Sequence, residues 1–120
     1  MKSEHQIQDE IKLDLCNKDG FCVRCNAGKF WQGERVWSYE FQEYVIRHPR
    51  IVVGLPTGFS DLLYIGKKQI AFIEVKDHIG KPNKDQKAFL KRVSELGHNA
   101  GIARSIEEAR DIVNGFKARE

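Results

Sequence analysis

The stretch IAFIEVKD, residues 70–77, limits this chain more than any other part of it. Ile70, Ala71, Phe72, Ile73 and Val75 form a short apolar run of the kind found in buried strands. A strand turns alternate residues to opposite faces. Ala71, Ile73 and Val75 therefore share one face, and Glu74 and Lys76 share the other. A fold built on this strand must bury it and still accommodate a carboxylate and an ammonium side by side.

The chain has 120 residues, 41% hydrophobic and 31% charged, which suits a single domain spanning 1–120 with an adequate core. Net charge is +3, a mildly basic balance that permits a polyanionic partner. No uninterrupted apolar run is long enough to span a bilayer. The start, MKSEHQIQDE, lacks the apolar core of a signal peptide. The expectation is a cytoplasmic protein. Cys16, Cys22 and Cys25 are then expected as reduced thiols. The pair in CVRC (22–25) has no second pair to complete a zinc site.

Periodicity orders the rest. Ile7, Ile11 and Leu15 give a helix over 4–16 one apolar stripe, with Ser3 as its cap. NKDG breaks that helix, and FCVRCNAG (21–28) reads as a strand ending in a turn. ERVWSYEF (34–41) reads as one strand, and YVIRHPRIVVG (44–54) as another broken at Pro49. Gly54, Pro56 and Gly58 mark a loop. SDLLYIGKKQ and IAFIEVK read as a hairpin with Gly66, Lys67 and Lys68 at its tip. GKPN (80–83) is a loop. Asn83 then starts a helix to Leu96, with Phe89, Leu90, Val93 and Leu96 facing the core and Gly97 ending it. AGIARS (100–105) is a short strand. Ser105 and Glu108 have the spacing of a capping box, and Ile106, Ala109, Val113 and Phe116 line the last helix. The order predicts an α/β fold with a central mixed sheet flanked by helices.

Asp61 begins the strand before IAFIEVK, so a tight hairpin brings it toward Glu74. Two carboxylates and one backbone carbonyl, for which Val75 is the candidate, make a hard-oxygen set suited to Mg²⁺ or Mn²⁺. Such an ion polarises a phosphorus–oxygen bond and lowers the pKa of water, and a lysine can hold water or neutralise a phosphate oxygen. The same spacing is equally that of a surface ion pair.

The stretches GLPTGFSD and AFIEVKDHIGKPNKDQKAFLKRVSELGHNAGIARS resemble the VRR-NUC family, the virus-type replication and repair nucleases of the PD-(D/E)xK superfamily. The residues that carry the likeness are Gly54, Pro56, Gly58, Ser60 and Asp61, then Ile73 to Lys76. Gly80, Gln86, Gly97, Ala103, Arg104 and Ser105 follow in order. SEHQIQDEIKLDL and VRCNAGKFWQGERV also resemble the family's first helix and Asn-Gly turn. Ser60 stands where the superfamily name has proline, Asn83 where the family often has Ser or Thr, and residues 38–48 match no family motif.

The resemblance implies a PD-(D/E)xK nuclease-like fold. It implies Asp61 and Glu74 as metal ligands with the Val75 carbonyl, Lys76 as the catalytic lysine and Gln86 at the start of a helix facing the site. Glu4 matches the acidic residue that often completes such sites from the first helix. It further implies a DNA endonuclease using Mg²⁺ or Mn²⁺ that leaves a 5′-phosphate and a 3′-hydroxyl. The family's short members, mostly from phages and bacteria, resemble Holliday-junction resolvases and act as homodimers. A four-way DNA junction is thus the expected substrate. A flap or nicking nuclease, a catalytically silent nucleic-acid-binding module and a dimerising subunit of a repair complex are the alternatives.

Several residues carry two readings. Gln86 can close a capping box with Asn83, and Glu4 is favoured by the helix dipole wherever it points. Gln8, one turn after Glu4, can share its face. Asn26 and Gly28 make a turn or lie near the scissile phosphate. Lys81, Lys84, Lys87, Lys91 and Arg92 form a solvated helix face or track a phosphate backbone. Trp31 and Trp37 are expected in core packing or a dimer contact.

Overall fold

The hairpin centred on residues 62–75 organises the molecule. In the computed structural model, which describes residues 1–115, β4 (Leu62–Gly66) runs antiparallel to β5 (Ile70–Val75), with Leu62 opposite Ile73 and Tyr64 opposite Ala71. The tip closes through the Gly66 N–H, which donates to the Gln69 carbonyl at 2.8 Å. β1 (Gly20–Arg24) pairs antiparallel with the outer side of β4, and β6 (Asn99–Ala103) pairs parallel with β5. The sheet order is β1-β4-β5-β6, a mixed sheet as expected.

Alternation then sorts the side chains. Cys22, Leu62, Tyr64, Ala71, Ile73, Val75 and Ala103 fall on one face and form the core with α1 (Glu4–Leu15) and α3 (Ile106–Val113). Ile7, Ile11 and Leu15 supply the expected stripe from α1; Ala109, Ile112 and Val113 supply that from α3. Ile112 was not foreseen. Its side chain lies over Gly101, where a Cβ would stand 3.1 Å away. Phe116, the last residue of the expected stripe, lies outside the described residues. The opposite face is covered by α2 (Lys84–Glu95), where Phe59, Phe72 and Phe89 form an aromatic cluster with ring centroids 4.5–5.9 Å apart.

Several details depart from the sequence reading. Leu96 is the C-cap of α2 and 57% exposed rather than in the core. Ser105 caps α3 by accepting from the Glu108 N–H, but the Glu108 carboxylate turns back to the Arg104 N–H, so the box is not reciprocal. The first strand stops at Arg24, which leaves Cys25 in the turn that follows.

The largest departure concerns residues 29–53. β2 (Lys29–Ser38) begins five residues before the expected strand, and β3 (Glu43–Val53) runs through Pro49 without ending. The irregularity is a bulge: β3 carries an extra residue between Arg47 and Arg50, with His48 at φ 53°. Among the described residues these two strands pair only with each other and form a separate sheet. Their ribbon stands away from the body, which gives extents of 54 × 31 × 28 Å and a radius of gyration of 17.0 Å. A compact chain of this length has a radius of about 14 Å. Trp31 and Trp37 are exposed on this arm, so core packing does not hold for them.

The loop before β4 is seated by close backbone approach. Gly58 has φ +90°, and a Cβ there would meet the Asp85 carbonyl oxygen at 2.5 Å. Only glycine accepts both that conformation and that contact. Gly58→Ala is expected to destabilise the fold by about 1–3 kcal/mol, read as a lowered urea midpoint. An unchanged midpoint would show that this loop does not need to touch α2.

Candidate active site

Register builds the site. Because Leu62 faces Ile73, the next residue out on each strand, Asp61 and Glu74, fall opposite one another. Directly opposed residues point to the same face. Lys76 lies two residues beyond Glu74 and joins that face. The Asp61 carboxylate is fixed by the backbone: its Oδ2 accepts from the Val75 N–H at 2.9 Å. The preceding Ser60 is fully buried, and its hydroxyl donates to the Leu62 carbonyl at 3.1 Å. Asp61 therefore sits at a rigid strand entry.

Glu74 is 1% exposed, and its Oε2 has no hydrogen-bond partner among the described residues. Its Oε1 lies 3.7 Å from Lys76 Nζ, whose side chain is 12% exposed. Burial first, and the Asp61 carboxylate second, push the Glu74 carboxyl up from its ordinary value to about 8, although Lys76 pulls it down. Two carboxylates face one ammonium in a dry place. A native fold seldom leaves a buried carboxylate oxygen unpaired. A divalent cation is the group whose charge and oxygen preference fit this pair, with Val75 pinned between the two as the expected backbone donor. Asp61, Glu74 and Lys76 are thus brought together.

Glu4 is the remaining expected ligand. It sits half-buried in the first turn of α1, and among the described residues no three carboxylate, histidine or cysteine groups form a cation-holding cluster. The buried polar residue of that helix is Gln8, on the side packed against the sheet. Its place after Ile7, within the apolar stripe, was the available signal.

Gln86 and Asp61 line one groove of about 360 Å³ together with Asn26, Gly28, Asn83 and Cys25. Gln86 also closes the capping box: its Oε1 accepts from the Asn83 N–H, and Asn83 Oδ1 accepts from the Gln86 N–H, both at 2.9 Å. The box uses the carbonyl of the Gln86 amide, and the residue still borders the groove with Asp61. Gly28 has φ +94° and donates to the Leu55 carbonyl, so the Asn26–Gly28 turn forms the wall beside Asp61. Lys81, Lys84 and Lys87 are exposed at the start of α2.

Arg104 has a role that sequence reasoning missed. Its guanidinium donates to the carbonyls of Asp77 and Gly80 and so ties down the loop after Lys76. Within that loop the Asp77 carboxylate accepts from the Gly80 and Ile79 N–H groups, which hold it below the usual aspartate range. A Cβ at Gly80 would lie 3.0 Å from Asp77 Oδ1, the oxygen that accepts from its own N–H, and 3.4 Å from Lys76 Cδ.

Comparison with known proteins bears on the fold. A solved structure titled "VRR_NUC domain" superposes on this chain with a TM-score of 0.59 and 20% identity, covering 97% of this chain and 100% of its own. The sequence matches no family model and no curated protein. The chain has the fold of a VRR_NUC domain: a mixed sheet flanked by helices, as the motif resemblance implied.

The Glu74 environment gives a pH signature. A carboxyl whose folded pKa is raised stabilises fully below its unfolded value of 4.5 and loses that contribution as pH rises through about 8. Metal-free protein is expected to lose on the order of a few kcal/mol of stability between pH 5 and 9. Glu74→Gln should flatten that fall, as measured by urea unfolding at each pH. Equal falls in both proteins would remove Glu74 as the cause.

Proposed function

We propose that the protein is a DNA endonuclease that hydrolyses phosphodiester bonds with Mg²⁺ or Mn²⁺. The observation that carries this reading is the unpaired, buried Oε2 of Glu74 opposite Asp61 and beside Lys76. The likeness of the fold to a VRR_NUC domain supports the same class.

Asp61, Glu74 and the Val75 carbonyl would hold the cation. When bound, it polarises the phosphorus–oxygen bond and favours deprotonation of water. Lys76 places a positive charge where the attacking water and the non-bridging phosphate oxygens gather. Water oxygen bonds to phosphorus, the bond from phosphorus to the 3′ oxygen breaks, and that oxygen takes a proton. The products are a 5′-phosphate and a 3′-hydroxyl. Gln86 and the Asn26–Gly28 wall border the groove through which the strand would reach Asp61. Glu4 would contribute from the first turn of α1.

The preferred substrate on this reading is a four-way DNA junction, cut by a homodimer whose two sites face opposed strands. A flap or nicking nuclease would use the same residues on another branch. A silent binding module would keep the fold without hydrolysis.

The test sets a labelled four-way junction beside a flap and a linear duplex, with Mg²⁺, Mn²⁺ or EDTA. Paired symmetric cuts are expected in the junction. Asp61→Ala and Lys76→Ala should each reduce the rate by at least 10²-fold. Cutting of the flap alone would change the substrate, and metal-independent cutting or none would overturn the reading. Arg104→Ala should lower the rate by loosening the Lys76 loop, with Arg104→Lys restoring part of it. An unaltered rate would make that clamp irrelevant to the site.

A further inference from the structure

One aromatic ring lines the active-site groove without belonging to the core. Phe30, near the start of β2, stands opposite Val52 and lies on the other side of the ribbon from Trp31. It is 40% exposed. Part of its ring rests on the Gly54 backbone: a Cβ at Gly54 would meet Phe30 Cε2 at 2.7 Å, so glycine is what leaves the ring its place. Phe30 also lines the groove of about 360 Å³ that holds Asp61 and Gln86. Phe59, the other aromatic of that lining, is committed to the cluster with Phe72 and Phe89. Phe30 joins no such ring pair among the described residues.

The polar lining keeps hydrogen-bonding capacity in reserve. The capping box engages Asn83 Oδ1 and Gln86 Oε1. Neither amide nitrogen has a partner among the described residues, and Asn26 adds a further amide to the lining. Arg24 is the one basic residue there, exposed and in no ion pair among the described residues. An aromatic platform, amide donors and one cation beside Asp61 match the parts of a nucleotide: the face of the base, its polar edge and the phosphate. The groove is near the lower bound for a small organic ligand, roughly 300 Å³, so it takes one nucleotide and not a paired step. A base stacked in a duplex shows only its edges. To lie on Phe30 it must leave the stack, at a cost that is least where it is already unpaired.

We propose that the groove holds one unpaired nucleotide next to the scissile phosphate, its base laid on Phe30 and its phosphate toward Arg24. This rests on the nuclease reading and deepens it. Phe30 is then a positioning residue, and the preferred DNA is one that offers an unpaired nucleotide beside the cut. Stacking tolerates any base, so the selection is for DNA structure and not for sequence.

The test is equilibrium binding of the full chain to a fluorescein-labelled DNA fork with an unpaired arm, and to the fully paired duplex of the same sequence. Anisotropy is read in EDTA and again in Ca²⁺, with circular dichroism to check folding. The fork is expected to bind more tightly. Phe30→Leu keeps an apolar side chain on Gly54 but removes the ring, and should weaken fork binding by about 5- to 150-fold. Phe30→Tyr should retain the wild-type affinity. An abasic nucleotide scanned along the arm should cost the wild type a similar factor at one position and cost Phe30→Leu nothing there, since ring and base are partners. Arg24→Gln should weaken fork binding and flatten its dependence on salt. Equal affinity for fork and duplex would overturn the proposal. So would a Phe30→Leu chain that binds like the wild type, or one that responds to the abasic scan as the wild type does. A chain that binds the fork in the expected way and cuts nothing in Mg²⁺ or Mn²⁺ would sustain the stacking site and remove the hydrolase. One that cuts DNA with no response to Phe30 would do the reverse.

Discussion

A single hydrogen bond, from the Val75 N–H to the Asp61 carboxylate, records the constraint on which the site depends. That bond exists because β4 and β5 pair in one register. A slip of one residue would send Asp61 into the apolar core and Leu62 out to the groove, since a strand's faces exchange with every step. The register is held by burial. Leu62, Ile73, Ala71 and Tyr64 must all face α1 and α3, and only one pairing achieves that. The chemistry on one face is thus positioned by hydrophobic demand on the other. Gly58 and Ser60 extend this control to the entering loop, one by approaching α2 and the other by anchoring to Leu62.

How far the sequence showed this depends on the range of each signal. Local signals read well. The stripe of Ile7, Ile11 and Leu15, the caps at Ser3 and Asn83, and the hairpin from Asp61 to Glu74 are set by neighbours within a few residues, and each stands as expected. The convergence of Asp61, Glu74 and Lys76 was legible because strand alternation and a tight turn suffice to derive it. Glu4 was not settled this way, because its position relative to the sheet depends on how α1 is rotated. That rotation is set by the burial of Ile7, Gln8 and Ile11. The role of Arg104 was hidden for a similar reason: its partners are carbonyls of a distant loop, and carbonyls leave no trace in sequence.

Residues 29–53 misled on other grounds. Alternation identified two strands but could not say which sheet they join. An amphipathic strand in a central sheet and one in a free ribbon have the same pattern, and only the second half of the bargain, what covers the apolar side, tells them apart. Pro49 read as a break because it cannot donate in a ladder. The ribbon absorbs it with a bulge at His48, which is inexpensive at an edge that nothing else pairs with.

The electrostatics of the site set burial against charge. Removing a carboxylate from water is costly, and one ammonium 3.7 Å from Glu74 Oε1 does not offset both that cost and the repulsion from Asp61. The protein alone answers by holding a proton on Glu74 into the neutral range. A proton and a divalent cation would then compete for the same pair of oxygens. Core burial keeps Ile73 and Val75 immobile on either side of Glu74, so the carboxylate cannot swing out to solvent to relieve the cost. The fold therefore retains the unfavourable charge in a fixed place. That is the condition under which a bound cation would gain most, and it is why the proposed reading puts the cation at Asp61 and Glu74.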